Sequence, residues 1–193
     1  MNDKLRNELA KHVRNKNYEP TGQGIFVPKA KLLLGGFFGH NVYHADGSEE
    51  GWLVDPNVVV DEGLDHVLDV VFHGETQVDP WYVGIFEGDY TPDSDDTAAN
   101  ITSNSTESTA YDESTRVEYE EAAADSQSIT NSANTADFTI NDTKTIYGAF
   151  LVSASAKSAT TGTLMAASRF SASRPVVATD VLSITYTISA EDA

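Results

Sequence analysis

The sequence predicts an all-β protein, an antiparallel β-sandwich or jelly roll that carries one amphipathic helix. Short runs of β-branched and aromatic residues recur from residue 81 onward, with turn-forming Gly, Pro, Asn and Asp between them. A clear helical period of apolar residues occurs at about 61–73. Many short strands separated by turn signals are typical of sandwiches and jelly rolls, and one helix does not change that class.

The clearest strand is the last one. Every second residue over 182–188 is large and apolar, and the residues between them carry hydroxyl groups, which predicts one buried and one polar face. Near the start, 31–44 predicts one long strand or two short ones. The dipeptide Asp46-Gly47 then supplies a turn signal, and we expect the return strand at 52–54.

Strands in the middle of the chain are predicted from short apolar runs. They are expected at 81–86, 116–120 and 163–166. Two further runs, 136–140 and 146–152, flank the turn-forming pair Asn141-Asp142. Because a tight turn joins antiparallel neighbours, we expect these two runs to pair with each other as a hairpin.

The helix is expected from Asp61 to about His73. Its apolar residues follow the spacing i, i+3, i+4, i+7 and i+8: Leu64, Val67, Leu68, Val71 and Phe72. Asp61 suits the N-cap position, and Gly74 suits the stop after the last turn. Because a single apolar face needs a partner surface, we expect it to pack on the sheet that contains 81–86.

Charge divides the chain into two predicted parts. The whole chain has a net charge of −18, but residues 1–31 hold seven bases and three acids, and the remaining residues hold five bases and 27 acids. The sequence therefore predicts a basic N-terminal arm and linker at 1–31 and a β-sandwich domain at 32–193. In the arm, Leu5, Leu9 and Val13 lie four residues apart. The candidate partner-binding residues are its bases, Lys4, Arg6, Lys11, Arg14 and Lys16.

Composition excludes several function classes. The acidic balance argues against nucleic-acid binding, which needs clustered Lys and Arg to neutralise phosphates. The sequence has no run of 18 apolar residues and no signal-peptide pattern, so we expect neither a membrane span nor secretion. Cysteine is absent, which excludes disulfides, thiolate metal sites and a Cys nucleophile.

The sequence lacks recognisable catalytic and metal-binding motifs, so we expect no enzymatic activity, no cofactor and no metal. The five histidines are scattered, and zinc-protease, nucleophile-elbow and phosphate-loop motifs are absent. His40 and His44 lie four apart in a predicted strand and therefore share a face. Without a third ligand at a convincing spacing, we expect them to be hydrogen-bonded structural histidines.

Residues 87–115 predict a long acidic loop. The acids at 87–96 suit a hard cation such as Ca²⁺, but the EF-hand spacing is missing, so a solvated loop is the preferred interpretation. A calcium- or glycan-binding β module remains an alternative function.

Several segments of the chain resemble small virion proteins of tailed bacteriophages. The resemblance covers about 50–190 and rests on NVVVDEGLDHVL (57–68), WYVGIFEGDYTP (81–92), YDESTR (111–116) and TIYGAFLV (145–152). Such families include capsid cement (decoration) proteins and tail-fibre-like proteins with β-sandwich folds. The resemblance implies a structural role and transfers no catalytic residue.

The function that this resemblance favours is a capsid cement protein. Its expected location is the virion, on the capsid exterior, after synthesis in the host cytoplasm. Its expected partners are the phage major capsid protein and neighbouring copies of itself, with no nucleic acid and no membrane. A neck, tail or fibre-adaptor protein of the virion is the alternative.

Overall fold

The computed structural model of the chain describes residues 18–20, 26–28 and 32–192. The helical segments are α1 (Asp61–Leu68), a π-helical turn (Asp69–His73) and α2 (Ile101–Asn104). The strands are β1 (Tyr18–Pro20), β2 (Phe26–Pro28), β3 (Leu32–Tyr43), β4 (Leu53–Pro56), β5 (Val58–Val59), β6 (Tyr82–Phe86), β7 (Val117–Glu118), β8 (Ser128–Thr130), β9 (Ala136–Thr139), β10 (Lys144–Val152), β11 (Leu164–Val176) and β12 (Val181–Asp192). β1 and β2 form a two-stranded antiparallel ladder of their own.

The other strands form two sheets, which confirms the predicted all-β sandwich. Sheet I has the order β5-β11-β10-β6-β7, and sheet II has the order β4-β3-β12-β8, with β9 also paired to β12. β10 runs antiparallel to β6 and β11, and β12 runs antiparallel to β8 and β9. No helix in the described residues has the length and hydropathy to cross a bilayer.

The main core lies between the two sheets. Sheet II contributes Phe38 from β3 and the alternate apolar residues of β12, and sheet I contributes Val83 and Ile85 from β6. The rings of Phe38 and Tyr186 stack with centroids 4.2 Å apart. The alternation predicted for 182–188 is thus confirmed, because its apolar face forms part of this core.

Sheet I is buried on its second face as well. Phe86, Phe150 and Leu164 join a second core cluster with Ala98 and Ile101 from the segment after β6. The predicted solvated loop at 87–115 is therefore wrong over much of its length, because these apolar residues fasten it to the sheet. A sheet covered on both faces needs strands that are apolar without alternation, as 146–152 is.

The predicted hairpin between 136–140 and 146–152 is wrong. β9 pairs with β12 in sheet II, whereas β10 pairs with β6 and β11 in sheet I. The chain crosses between the sheets at the Asn141-Asp142 turn. β10 is buried on both faces and lies at the centre of sheet I. Both of its hydrogen-bonding edges are therefore already paired, with β6 and with β11.

The helix lies in the predicted place and ends as predicted. α1 passes into the π-helical turn at Asp69, and Gly74 follows with φ of 77° in the left-handed region that glycine tolerates. The N-cap differs from the prediction, since Val60 occupies that position and Asp61 lies in the first turn. Asp61 still places a negative charge near the positive end of the helix dipole.

The face on which α1 packs differs from the prediction. Gly63 lies against β11, where a Cβ would come within 2.5 Å of the Met165 carbonyl oxygen. Val67 packs on the main core. In contrast, Leu68, Val71 and Phe72 have exposed fractions of 51%, 62% and 80%. The helix thus packs on the sheet that contains 81–86, as predicted, but through β11. The prediction that Leu68 and Val71 make this contact is wrong, because the close approach at Gly63 turns a different face of the helix toward the sandwich.

Candidate interaction surfaces

The basic residues predicted to bind a partner lie outside the described part of the chain. These are Lys4, Arg6, Lys11, Arg14 and Lys16. Their partner-binding role stays a prediction. The polar clusters and exposed surfaces considered below belong to residues 34–189.

His40 is the centre of a buried charged cluster. Its Nε2 lies 2.8 Å from Asp55 Oδ2, and its Nδ1 accepts a hydrogen bond from Arg174 Nε at 2.8 Å. Since the arginine can only donate, the proton of the neutral ring is on Nε2 and is donated to Asp55. Phe170 stacks on the imidazole with a centroid distance of 3.7 Å.

Arg174 ties this cluster to the surrounding strands. Its guanidinium donates to Glu50 Oε2 at 2.8 Å and to the carbonyl oxygens of His40 and Gly51. Asp55 Oδ1 accepts a hydrogen bond from the Ser171 backbone N–H at 3.0 Å. The cluster therefore joins β3 and β4 of sheet II to β11 of sheet I, and its role is structural.

The two histidines that share a predicted strand do not form a metal site. His44 Nδ1 lies 3.1 Å from Asp180 Oδ1, away from the Asp55 and Arg174 partners of His40. Over the residues that the structure describes, no three His, Asp or Glu side chains come together in an arrangement able to hold a metal ion. Both histidines have hydrogen-bonding partners within the protein, as predicted.

Burial and hydrogen bonding together set the protonation states of the cluster. Removal from water lowers the pKa of His40, and this outweighs the opposing effect of its hydrogen bond to Asp55. Burial acts to raise the pKa of Asp55, but hydrogen bonds from His40 and Ser171 outweigh it and leave that pKa below its usual value. A neutral imidazole beside a carboxylate follows from both shifts.

We expect the free energy of unfolding to fall as the pH drops below 6.5, the ordinary pKa of histidine. The unfolded chain then takes up a proton on His40 that the folded chain does not, until the pH reaches the lowered folded-state pKa. A protonated ring would also set a cation against Arg174. One proton gives a slope of at most about 1.4 kcal/mol per pH unit. Urea denaturation across this pH range measures the slope.

His40→Gln should flatten this part of the stability profile, because the amide does not titrate. His73→Gln is the matched control for the substitution itself, since His73 is exposed and lies outside the His40 cluster. A His40→Gln profile as steep as that of the unmodified chain would show that other groups cause the pH dependence.

Acidic side chains in 87–115 satisfy the protein's own donors. Asp96 is buried and accepts hydrogen bonds from the Tyr90 hydroxyl, the Asp93 N–H and Asn104 Nδ2 at 2.9–3.1 Å. Its oxygens are thus occupied by groups that shape this segment. The calcium interpretation gains no support from this geometry.

Glu107, in the same segment, and Arg116, directly after it, form a buried ion pair. Two parallel hydrogen bonds of 2.8 Å join them, and their side chains are 1% and 0% exposed. Arg116 also donates to the Ala154 carbonyl, and Glu107 accepts from the Ser158 N–H. Sequence reasoning missed this pair, although the arginine is one of only five bases in 32–193.

Among the residues that the structure describes, two exposed apolar surfaces are available for contacts with other molecules. The first, called the α1 stripe, consists of Leu68, Val71 and Phe72. The second, called the β3–β4 patch, consists of Phe37 and Val54 on sheet II and of Trp52 directly before β4. Contiguous exposed apolar residues of this kind mark interaction sites on soluble proteins.

The chain matches a known protein family. A family model described as podophage GP4 fiber I protein gp80 matches residues 63–188, almost two thirds of the chain. The chain belongs to this family. No curated protein matches it. As a member of the podophage fiber I family, it is a structural protein of the phage virion. The match includes the α1 stripe, whereas the basic arm and the β3–β4 patch lie outside it.

Proposed function

We propose that this chain is a non-enzymatic component of the phage tail-fibre apparatus, either a fibre protein or an adaptor that attaches one. The observation that carries the proposal is the family match, which covers most of α1, all of sheet I except β5, and strands β8, β9 and most of β12 of sheet II. The family is named for a fibre protein, and a member of it fits a fibre position better than a position on the head.

The internal chemistry of the sandwich supports a non-enzymatic role. His40 is fully buried with both ring nitrogens engaged, so it has no free position for a substrate. A cavity of about 110 Å³ is lined mainly by apolar side chains such as Trp81, Leu151 and Met165, and Glu121 is the one charged residue among its described lining. The His40 cluster and the residues that line the cavity therefore stabilise the packing of the sandwich.

The outer surface supports a role in assembly. The α1 stripe and the β3–β4 patch expose large apolar side chains that stable contacts with other proteins would bury. The proposed partners are other fibre or tail proteins of the virion and further copies of this chain. The capsid cement role that the sequence resemblance implied stays a prediction. Contact with the major capsid protein stays a prediction as well.

Copy number in purified particles tests the proposal. Fibre and adaptor proteins occupy a few symmetry-related positions, so quantitative mass spectrometry should find on the order of ten copies per particle. An antibody against the chain should label the tail in electron micrographs. Hundreds of copies, with label over the whole head, would overturn the fibre proposal in favour of the cement role.

A further inference from the structure

The α1 stripe combines apolar and acidic character in one small surface. Leu68, Val71 and Phe72 are exposed, whereas Gly63 of the same helical segment lies against β11. Exposed Asp65 and Asp69 lie on the same helical segment. Residues 61–80 contain no Lys or Arg, so no base of this segment offsets its acids. A partner that covers the stripe must therefore present apolar side chains together with positive charge.

One segment of this chain has that chemistry. Residues 1–17 hold five bases and two acids. Leu5, Leu9 and Val13 recur every fourth residue among these bases. The bases of this segment are opposite in charge to the acids beside the α1 stripe, and both segments carry apolar side chains. The basic segment lies outside the family match, and the stripe lies inside it.

We propose that the α1 stripe of one copy binds residues 1–17 of a neighbouring copy. The apolar residues of the segment cover Phe72 and its neighbours, and Lys11 and Arg14 pair with Asp65 and Asp69. Exposed ion pairs are individually weak, so the affinity comes from several pairs acting together with the apolar contact. The interface joins two different surfaces, so two copies exchange their arms reciprocally as a dimer, or each copy gives its arm to the next in a ring or an open chain.

Charge reversal in the full-length protein tests this pairing. Sedimentation equilibrium at low ionic strength should show association that rises with protein concentration and weakens with added salt. Lys11→Glu with Arg14→Glu should weaken association about tenfold or more, and so should Asp65→Lys with Asp69→Lys. All four changes in one chain restore opposite charges across the interface and should recover association.

A matched pair of substitutions tests the apolar part. Phe72→Ser should weaken association, whereas Val177→Ser, at an exposed apolar residue outside the α1 stripe, should leave it unchanged. Circular dichroism should show the same fold for every variant. A chain that stays monomeric at all concentrations would overturn the proposal. So would association that is insensitive to the arm reversal, or a failure of the four-fold variant to recover. Each readout is independent of where the protein lies in the virion, so the proposed function can fail separately.

Discussion

Glu107→Ala should lower the free energy of unfolding by about 3–5 kcal/mol, because it leaves a buried guanidinium without its counter-ion. Arg116 is fully buried, and Glu107 accepts two of its hydrogen bonds as well as one from the Ser158 N–H. The remaining contacts of Arg116 with carbonyl oxygens supply no compensating charge. Urea denaturation at neutral pH measures the loss.

An exposed ion pair in the same protein is the control for this change. Arg169 and Asp89 are 39% and 61% exposed, so Asp89→Ala should cost only about 0–1 kcal/mol. Replacing both members of the buried pair, with Glu107→Leu and Arg116→Met, should recover part of the stability, because no buried charge is then left unpaired. Equal losses for Glu107→Ala and Asp89→Ala would contradict the prediction.

Phe150→Ala should cost about 3–5 kcal/mol, the range for a large aromatic removed from a core. Phe150 is fully buried in the cluster formed by sheet I and the segment after β6. Its ring lies over Gly84, where a Cβ would come within 2.2 Å of it, and the Arg116 guanidinium lies 5.2 Å from the ring centre. The cavity left behind would loosen 87–115, which limited proteolysis should detect.

Phe72→Ala is the matched control, since it removes the same side chain from a position that is 80% exposed. It should change the free energy of unfolding by no more than about 0.5 kcal/mol in a dilute, unassociated sample. Similarly small losses for both variants would show that residues 87–115 do not form the second core layer, and similarly large losses would show that Phe72 is not exposed.

The sequence by itself determined the fold class and the identity of most elements. The alternation over 182–188 predicts a strand with one buried face, and β12 has that face in the main core. The helix at 61–73 and its stop at Gly74 follow from local spacing and from the backbone freedom of glycine. These features depend on residues close together in the chain, which is why a single sequence reveals them.

Only the tertiary structure decided which surfaces are covered. The apolar period of the helix predicts a buried stripe, but Gly63 permits the closest approach to β11 and leaves Leu68 and Phe72 exposed. The turn at Asn141-Asp142 predicts a hairpin, but β10 finds its partners in sheet I. The pairing of Glu107 with Arg116 also depends on how 87–115 folds over that sheet. In each case the local pattern indicates that a surface needs a partner. Which partner covers that surface depends on residues far away in the sequence that compete for the contact.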